Sequence, residues 1–124
     1  MRSFANLLDR LTYTPSRSGK LLLMRNYFRA TPDPDRGFAL AALTDGLPQP
    51  FPLRRVLGEI GAARFNPELY RLSRDDVGDT AETVALIWPG SPNVDDTLSL
   101  PDIVAGLESV GRDGHAALLT QWLD

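Results

Sequence analysis

Phe4-Ala5-Asn6-Leu7-Leu8-Asp9-Arg10-Leu11-Thr12-Tyr13-Thr14-Pro15-Ser16-Arg17-Ser18-Gly19-Lys20 decides how this chain is read. Phe4, Leu7, Leu8 and Leu11 stand at i, i+3, i+4 and i+7, one face of an α-helix that Ser3 can cap. Pro15 stops that helix, and Ser16 or Ser18 can cap a second one through Leu21, Leu22, Leu23, Met24, Tyr27 and Phe28. The same order of cap, apolar period and breaker recurs to the end of the chain. Asp33 as N-cap and Pro34 as first helical residue open a third helix with Phe38, Leu40, Ala41 and Leu43, and Gly46 is its expected C′ residue. Gly46 to Pro52 carries three prolines and reads as a loop. A fourth helix holds Leu53, Val56, Leu57 and Ile60; Asn66-Pro67 starts a fifth with Leu69, Tyr70 and Leu72, which Gly78 terminates. Asp79-Thr80-Ala81-Glu82 has capping-box spacing and opens a sixth with Val84, Ile87 and Trp88. Pro89 to Asn93 reads as a loop. Ser99 caps a seventh helix along Ile103, Val104, Leu107 and Val110, and Asp113 opens an eighth with Leu118, Leu119, Trp122 and Leu123. No segment sustains a period of two, so the expectation is an all-α, compact multi-helix domain of about eight short helices, a single domain over residues 1–124.

Charge is unevenly spread. The net charge of -3 alone argues against a nucleic-acid partner, but residues 1–74 hold 12 basic and 6 acidic residues, and residues 75–124 hold one basic and 10 acidic. The first part is therefore +6 and the second -9. Such asymmetry points to a polyanionic partner. All but one of the basic residues are arginine, whose fork matches phosphate. There is no cysteine, so disulfides and thiolate metal sites are excluded and a reducing, cytoplasmic location is expected. The N-terminus meets Asp9 and Arg10 before any long apolar stretch, unlike a signal peptide, and no run approaches the ~20 apolar residues of a membrane helix. Trp122-Leu123-Asp124 lies inside an apolar-periodic helix with no breaker after it, which reads as a frayed end or as the front piece of a longer protein.

No catalytic constellation is visible. Arg112-Asp113-Gly114-His115 lacks the lysine that covalent nucleotidyl transfer needs two residues before the aspartate. The only lysine, in Ser18-Gly19-Lys20-Leu21, lacks the first glycine and the Ser/Thr of a phosphate loop. There is no Gly-x-Ser-x-Gly elbow and no Cys–His pair, and a single histidine, His115, makes no zinc site. Asp75-Asp76-x-x-Asp79 reads as caps and dipole complements at a helix start rather than a magnesium site.

Two stretches carry binding chemistry. In the first, a hydroxyl-rich turn leads into a helix with Arg17 and Lys20 in its opening residues, where the macrodipole favours acids instead. Ser16, Arg17 and Lys20 with the helix amides suit a phosphodiester, and Arg17, Leu21, Arg25 and Arg29 follow at i+4 steps, a cationic edge. The competing reading is a solvated helix face. In the second stretch, Val77-Gly78-Asp79-Thr80-Ala81-Glu82-Thr83-Val84-Ala85, a glycine before a capped helix start can lie flat against a nucleic-acid backbone. The competing reading is an ordinary joint between two helices.

Thr14-x-Ser16-Arg17-x-x-Lys20, then Tyr27-Phe28-Arg29, then Ala42-Leu43-Thr44-Asp45-Gly46 with Pro50-Phe51, then Val77-Gly78-Asp79 leading into Glu82-Thr83-Val84-Ala85, occur in the order found in ATP-dependent DNA ligases. The N-terminus resembles that of the proteobacterial branch. The resemblance covers nearly the whole chain, close through residue 46 and over 67–89, weaker over 47–66 and loose beyond 89. It implies the all-helical N-terminal DNA-binding domain, which grips nicked duplex from the minor-groove side, largely through the sugar-phosphate backbone. It also implies DNA contacts at Ser16, Arg17 and Lys20, and at Gly78, Asp79 and Thr83. Thr80 stands where the family has leucine, and Arg74 and Asp76 stand where this branch often has aromatics. The adenylating catalytic domain, a partner needing ATP and Mg2+, would lie beyond residue 124. No catalytic residue, metal or cofactor is expected in the chain itself. The alternative function is a helical protein–protein interaction module, suggested by the acidic second part and by Trp122.

Overall fold

The computed structural model describes residues 1–48, 51–90 and 97–124. Those residues form eight α-helices and no strand: α1 (Arg2–Tyr13), α2 (Arg17–Ala30), α3 (Asp35–Leu43), α4 (Leu53–Arg64), α5 (Pro67–Val77), α6 (Thr80–Ile87), α7 (Leu100–Ser109) and α8 (His115–Leu123). A short 3-10 turn, Arg112–Gly114, precedes α8. The all-α class is as the sequence reads. None of these helices is long and apolar enough to cross a membrane. The loop readings at Gly46–Pro52 and Pro89–Asn93 fall partly outside the described residues.

The caps explain the boundaries. Ser16, rather than Ser18, caps α2 by accepting the Gly19 amide at 3.1 Å. The Asn66 side chain accepts the amides of Glu68 and Leu69, with Pro67 in the first turn of α5. Asp79 accepts the Glu82 amide at 2.9 Å. Ser99 and Asp102 exchange bonds: the Ser99 amide and hydroxyl donate to the Asp102 carboxylate, and the Asp102 amide donates to Ser99 Oγ. The Ser99 hydroxyl, and then its amide, hold the Asp102 carboxyl below the usual carboxylate range.

Five local expectations need correction. Ser3 does not cap α1; the helix begins two residues earlier, at Arg2 with Met1 as its cap, and the Phe4 and Ala5 amides bond to the Met1 carbonyl. Asp33 is not the cap of α3; its carboxylate pairs with Arg36 at 2.6 Å, and Pro34 is the residue before the helix. The Arg36 guanidinium holds the Asp33 carboxyl low. Gly46 is not the left-handed residue after α3: Asp45 takes φ 54, and the Gly46 amide reaches back to the Ala41 carbonyl at 2.8 Å. Aspartate tolerates that conformation better than most residues, which leaves glycine one position later. Asp113 does not open α8; it sits in the 3-10 turn, and Gly114 precedes the helix. Asp75 and Asp76 lie in the last turn of α5, the end the dipole disfavours for acids, and Arg71 offsets Asp75 at 3.0 Å.

By contacts the chain divides into two compact units, residues 1–49 with 94–105 and residues 50–93 with 106–124. The core of the first unit is Phe4, Leu7, Ala39 and Leu100, with Leu11, Leu23, Tyr27, Phe28 and Phe38 packed against it. The Phe4 and Tyr27 rings lie 5.9 Å apart. Burying a side chain such as Leu7 or Phe4 contributes about 1.5–3 kcal/mol. Along α3 Phe38 and Leu43 pack on the core as expected, whereas Ala39 is the fully buried residue and Leu40 is 52% exposed.

In the second unit α4 packs on α5, α6 and α8, and α5 packs on α6. Val56, Ile60, Tyr70, Val84 and Leu107 are buried there, with Thr80, Thr83 and His115. The His115 ring bonds to the Leu107 carbonyl at 3.0 Å, so the one histidine is a core residue. Phe65 stacks on Tyr70 and meets Trp88 edge-on, while the Arg64 guanidinium lies 4.3 Å above the Trp88 ring.

Candidate nucleic-acid interface

In the first unit α2 is a surface helix with no fully buried residue. It rests on α1 through a half-buried face that includes Leu23, Met24, Tyr27 and Phe28. Arg17, Lys20, Arg25 and Arg29 are all exposed. At about 100° per residue, Arg17, Leu21, Arg25 and Arg29 span an arc of about 120°, and Lys20 lies about 60° to the other side of Arg17. Half-buried Met24 and Phe28 fall within that arc further along the helix, so the cations form a broken edge. Arg17 and Lys20 stand exposed at the first turn, and Arg25 and Arg29 continue on the solvent side with Leu21, about 18 Å along the axis from Arg17 to Arg29.

The partners of these cations, compared with other arginines, decide how the stripe is read. The sequence of α2 contains no acidic residue. Among the described residues, none of its four cations forms an ion pair, whereas Arg36, Arg55, Arg64 and Arg71 are each held by a carboxylate at 2.6–3.0 Å. A solvated face usually mixes both signs, which this one does not. Leu21, 53% exposed, sits inside the stripe and Leu22, 47% exposed, beside it. At the helix start Ser16 spends an oxygen lone pair on the Gly19 amide and keeps its own proton to donate. The Lys20 amide is committed to the Ser16 carbonyl at 3.0 Å. Ser16, Arg17 and Lys20 are thus brought together on one exposed turn, and Arg25 and Arg29 continue from it.

The second stretch lies in the second unit and divides into an exposed and a buried part. Gly78 and Asp79 are exposed. Gly78 closes α5 with φ 82 and ψ -15, and its amide bonds to the Arg74 carbonyl at 2.9 Å. Nothing lies within 4 Å of where a Cβ would stand, so bulk meets no neighbour there. Asp79 is engaged as the cap of α6, and its charge opposes a phosphate. Thr83 is 0% exposed and its hydroxyl donates to the Asp79 carbonyl, so this side chain belongs to the core and drops out of the contact set. Thr80, Thr83, Val84 and Ile87 stand at i, i+3, i+4 and i+7, a spacing that marks Thr83 as inward-facing in the sequence itself.

The conformation at Gly78 separates its two possible duties. A β-branched side chain at φ 82 is strained, so Gly78→Val should cost about 1–2 kcal/mol of stability, read as a lower melting temperature. Gly78→Asn should stay close to wild type, because asparagine visits this region. If Gly78 also lets a nucleic-acid backbone approach, Gly78→Asn will weaken binding at unchanged melting temperature. Equal affinity would assign the residue to chain geometry alone.

A second group of cations, Arg54, Arg55 and Arg74, lines one cleft in the second unit. The sequence does not single them out, because about 20 positions separate Arg54 from Arg74 and no local motif links them. Only the packing of α4 beside α5 brings them together. Among the described residues no group of three or more histidine, cysteine, aspartate or glutamate side chains is arranged to hold a metal ion. Comparison with protein-family models, with curated proteins and with solved structures gives no match for this chain.

Proposed function

We propose that this chain is a non-catalytic DNA-binding domain of an ATP-dependent DNA ligase, holding nicked double-stranded DNA through the sugar-phosphate backbone. The observation that carries the reading is the α2 stripe: four exposed cations, no carboxylate on the helix, and no ion pair to any of them among the described residues. Unpaired arginines cost nothing to leave in water and are free to replace counterions on a phosphate chain. A duplex presents one phosphate per about 3.4 Å of axis on each strand, so a stripe of about 18 Å faces roughly five of them. Leu21 would lie against sugar rather than base, in keeping with a partner read by backbone and shape. On this reading Ser16, Arg17, Lys20, Arg25 and Arg29 are the principal contacts, Gly78 and Asp79 are a subsidiary point, and the chemistry, with ATP and Mg2+, belongs to a separate catalytic domain of the same ligase. The cell compartment proposed is the cytoplasm.

A second reading, a protein–protein interaction module, draws on the second unit. Leu69, Leu72 and Leu86 on α5 and α6 are 50–67% exposed, more apolar surface than helix amphipathicity requires. Amide-shift mapping of the isotope-labelled chain with a nicked duplex separates the two. The DNA-binding reading expects saturable shifts concentrated from Ser16 to Arg29. An α2 that stays unperturbed by DNA contradicts it.

A further inference from the structure

The cleft lined by Arg54, Arg55 and Arg74 has a volume of about 620 Å³ and no carboxylate in its lining. The three arginines are not equally engaged. Arg55 is paired with Glu59 at 2.6 Å. Arg74 donates Nε to Thr80 Oγ1 at 3.3 Å and keeps both terminal nitrogens, and Arg54 has no ion pair among the described residues. The cleft also faces the start of α4, whose first turn has no acidic residue but two arginines, the reverse of what the dipole favours. Tyr70, 8% exposed, also contributes to the lining. Cations converging on a concave, partly apolar surface concentrate positive potential where an anion gains most from it.

Size narrows the ligand. A cleft of this volume falls in the range of about 300–1,000 Å³ typical of small-molecule sites and is far larger than a bare phosphate. Phe51 and Pro52 supply an apolar wall against which a flat ring can lie. We propose that the cleft binds a nucleotide unit, its phosphate held by Arg54 and Arg74 and its base resting against Phe51. This site uses none of the α2 residues, so it stands or falls separately from the DNA-binding reading. The nucleotide has two possible sources, a free mononucleotide or one residue of a single strand.

The test is a titration of the isotope-labelled chain, residues 1–124, with adenosine 5′-monophosphate, adenosine and a single-stranded tetranucleotide, following the amides of Arg54, Arg55 and Arg74. The monophosphate is expected to bind saturably, and adenosine at least roughly tenfold more weakly, because the charge-assisted bonds are lost. Arg54→Gln/Arg74→Gln should lower monophosphate affinity roughly tenfold or more, with the folded spectrum retained. Arg17→Ala/Arg29→Ala on α2 should leave it unchanged even where duplex binding falls. A tetranucleotide that shifts the same amides and binds more tightly than the monophosphate names a strand as the source; equal or weaker binding names the free nucleotide. Monophosphate and adenosine binding alike, no saturable binding at millimolar concentration, or a double variant with wild-type affinity would each overturn the proposal.

Discussion

Replacing Arg17, Lys20, Arg25 and Arg29 together with alanine is expected to reduce affinity for nicked duplex roughly 100- to 1,000-fold at low salt. The loss should be the same for every DNA sequence, because backbone contacts carry no base information. The logarithmic salt dependence should flatten by about three to four units, close to one per phosphate contact removed. Stability should hardly change. All four side chains are exposed, alanine is the best helix former, and removing two cations from the first turn relieves an unfavourable interaction with the dipole. Arg36→Ala/Arg71→Ala is the control: it removes two charges, from arginines already held by Asp33, Glu68 and Asp75. Fluorescence anisotropy across a salt series, with melting curves for both variants, reads the comparison. An equal loss of binding free energy per charge removed in the two would mean that net charge, not the α2 stripe, governs binding.

A large loss of stability is expected from a much smaller change, Gly61→Ala. A Cβ on Gly61 would stand 2.6 Å from two ring atoms of Tyr70 and 2.9 Å from its hydroxyl oxygen. Both residues are buried, and the ring is hemmed in by stacking on Phe65. The ring or the helix must therefore move, at an overpacking cost of about 1–3 kcal/mol or somewhat more. Alanine's better helix propensity returns at most about 1 kcal/mol of that. Gly61→Val, larger and β-branched, should cost more and bring the second unit close to unfolding. Tyr70→Leu should recover part of the loss in the alanine variant by making room. Thermal denaturation of the single and double variants gives the coupling, and simple additivity would contradict the contact.

Much of this architecture is legible before any coordinates. Pro15, Asn66-Pro67, Gly78-Asp79 and Ser99 mark helix ends through local chemistry, and local chemistry survives folding. The α2 stripe is legible for the same reason: Arg17, Arg25 and Arg29 share a face by arithmetic, and the absence of acids on the helix can be read directly. What depends on a partner helix is not legible. Gly61 reads as a weak point in a helix until Tyr70 of α5 is known to lie across it. Arg54 and Arg74 become neighbours only through packing of α4 and α5. Asp45 takes the left-handed turn that Gly46 advertises, because a one-residue shift of a helix end is settled by competing backbone bonds rather than by residue type. Thr83 differs from these. Its helical phase shows it to be buried, and its placement among the contacts followed the family resemblance instead.

The most direct test of DNA binding through the α2 stripe needs no variant. The unmodified chain is titrated onto a labelled nicked duplex of arbitrary sequence, with affinity measured at several salt concentrations. If the four α2 cations replace counterions, the logarithm of affinity should fall linearly with the logarithm of salt, with a slope of about -3 to -4, and scrambling the duplex sequence should leave it unchanged. No binding at low salt, or binding indifferent to salt, would contradict the assignment of α2 as a surface for DNA.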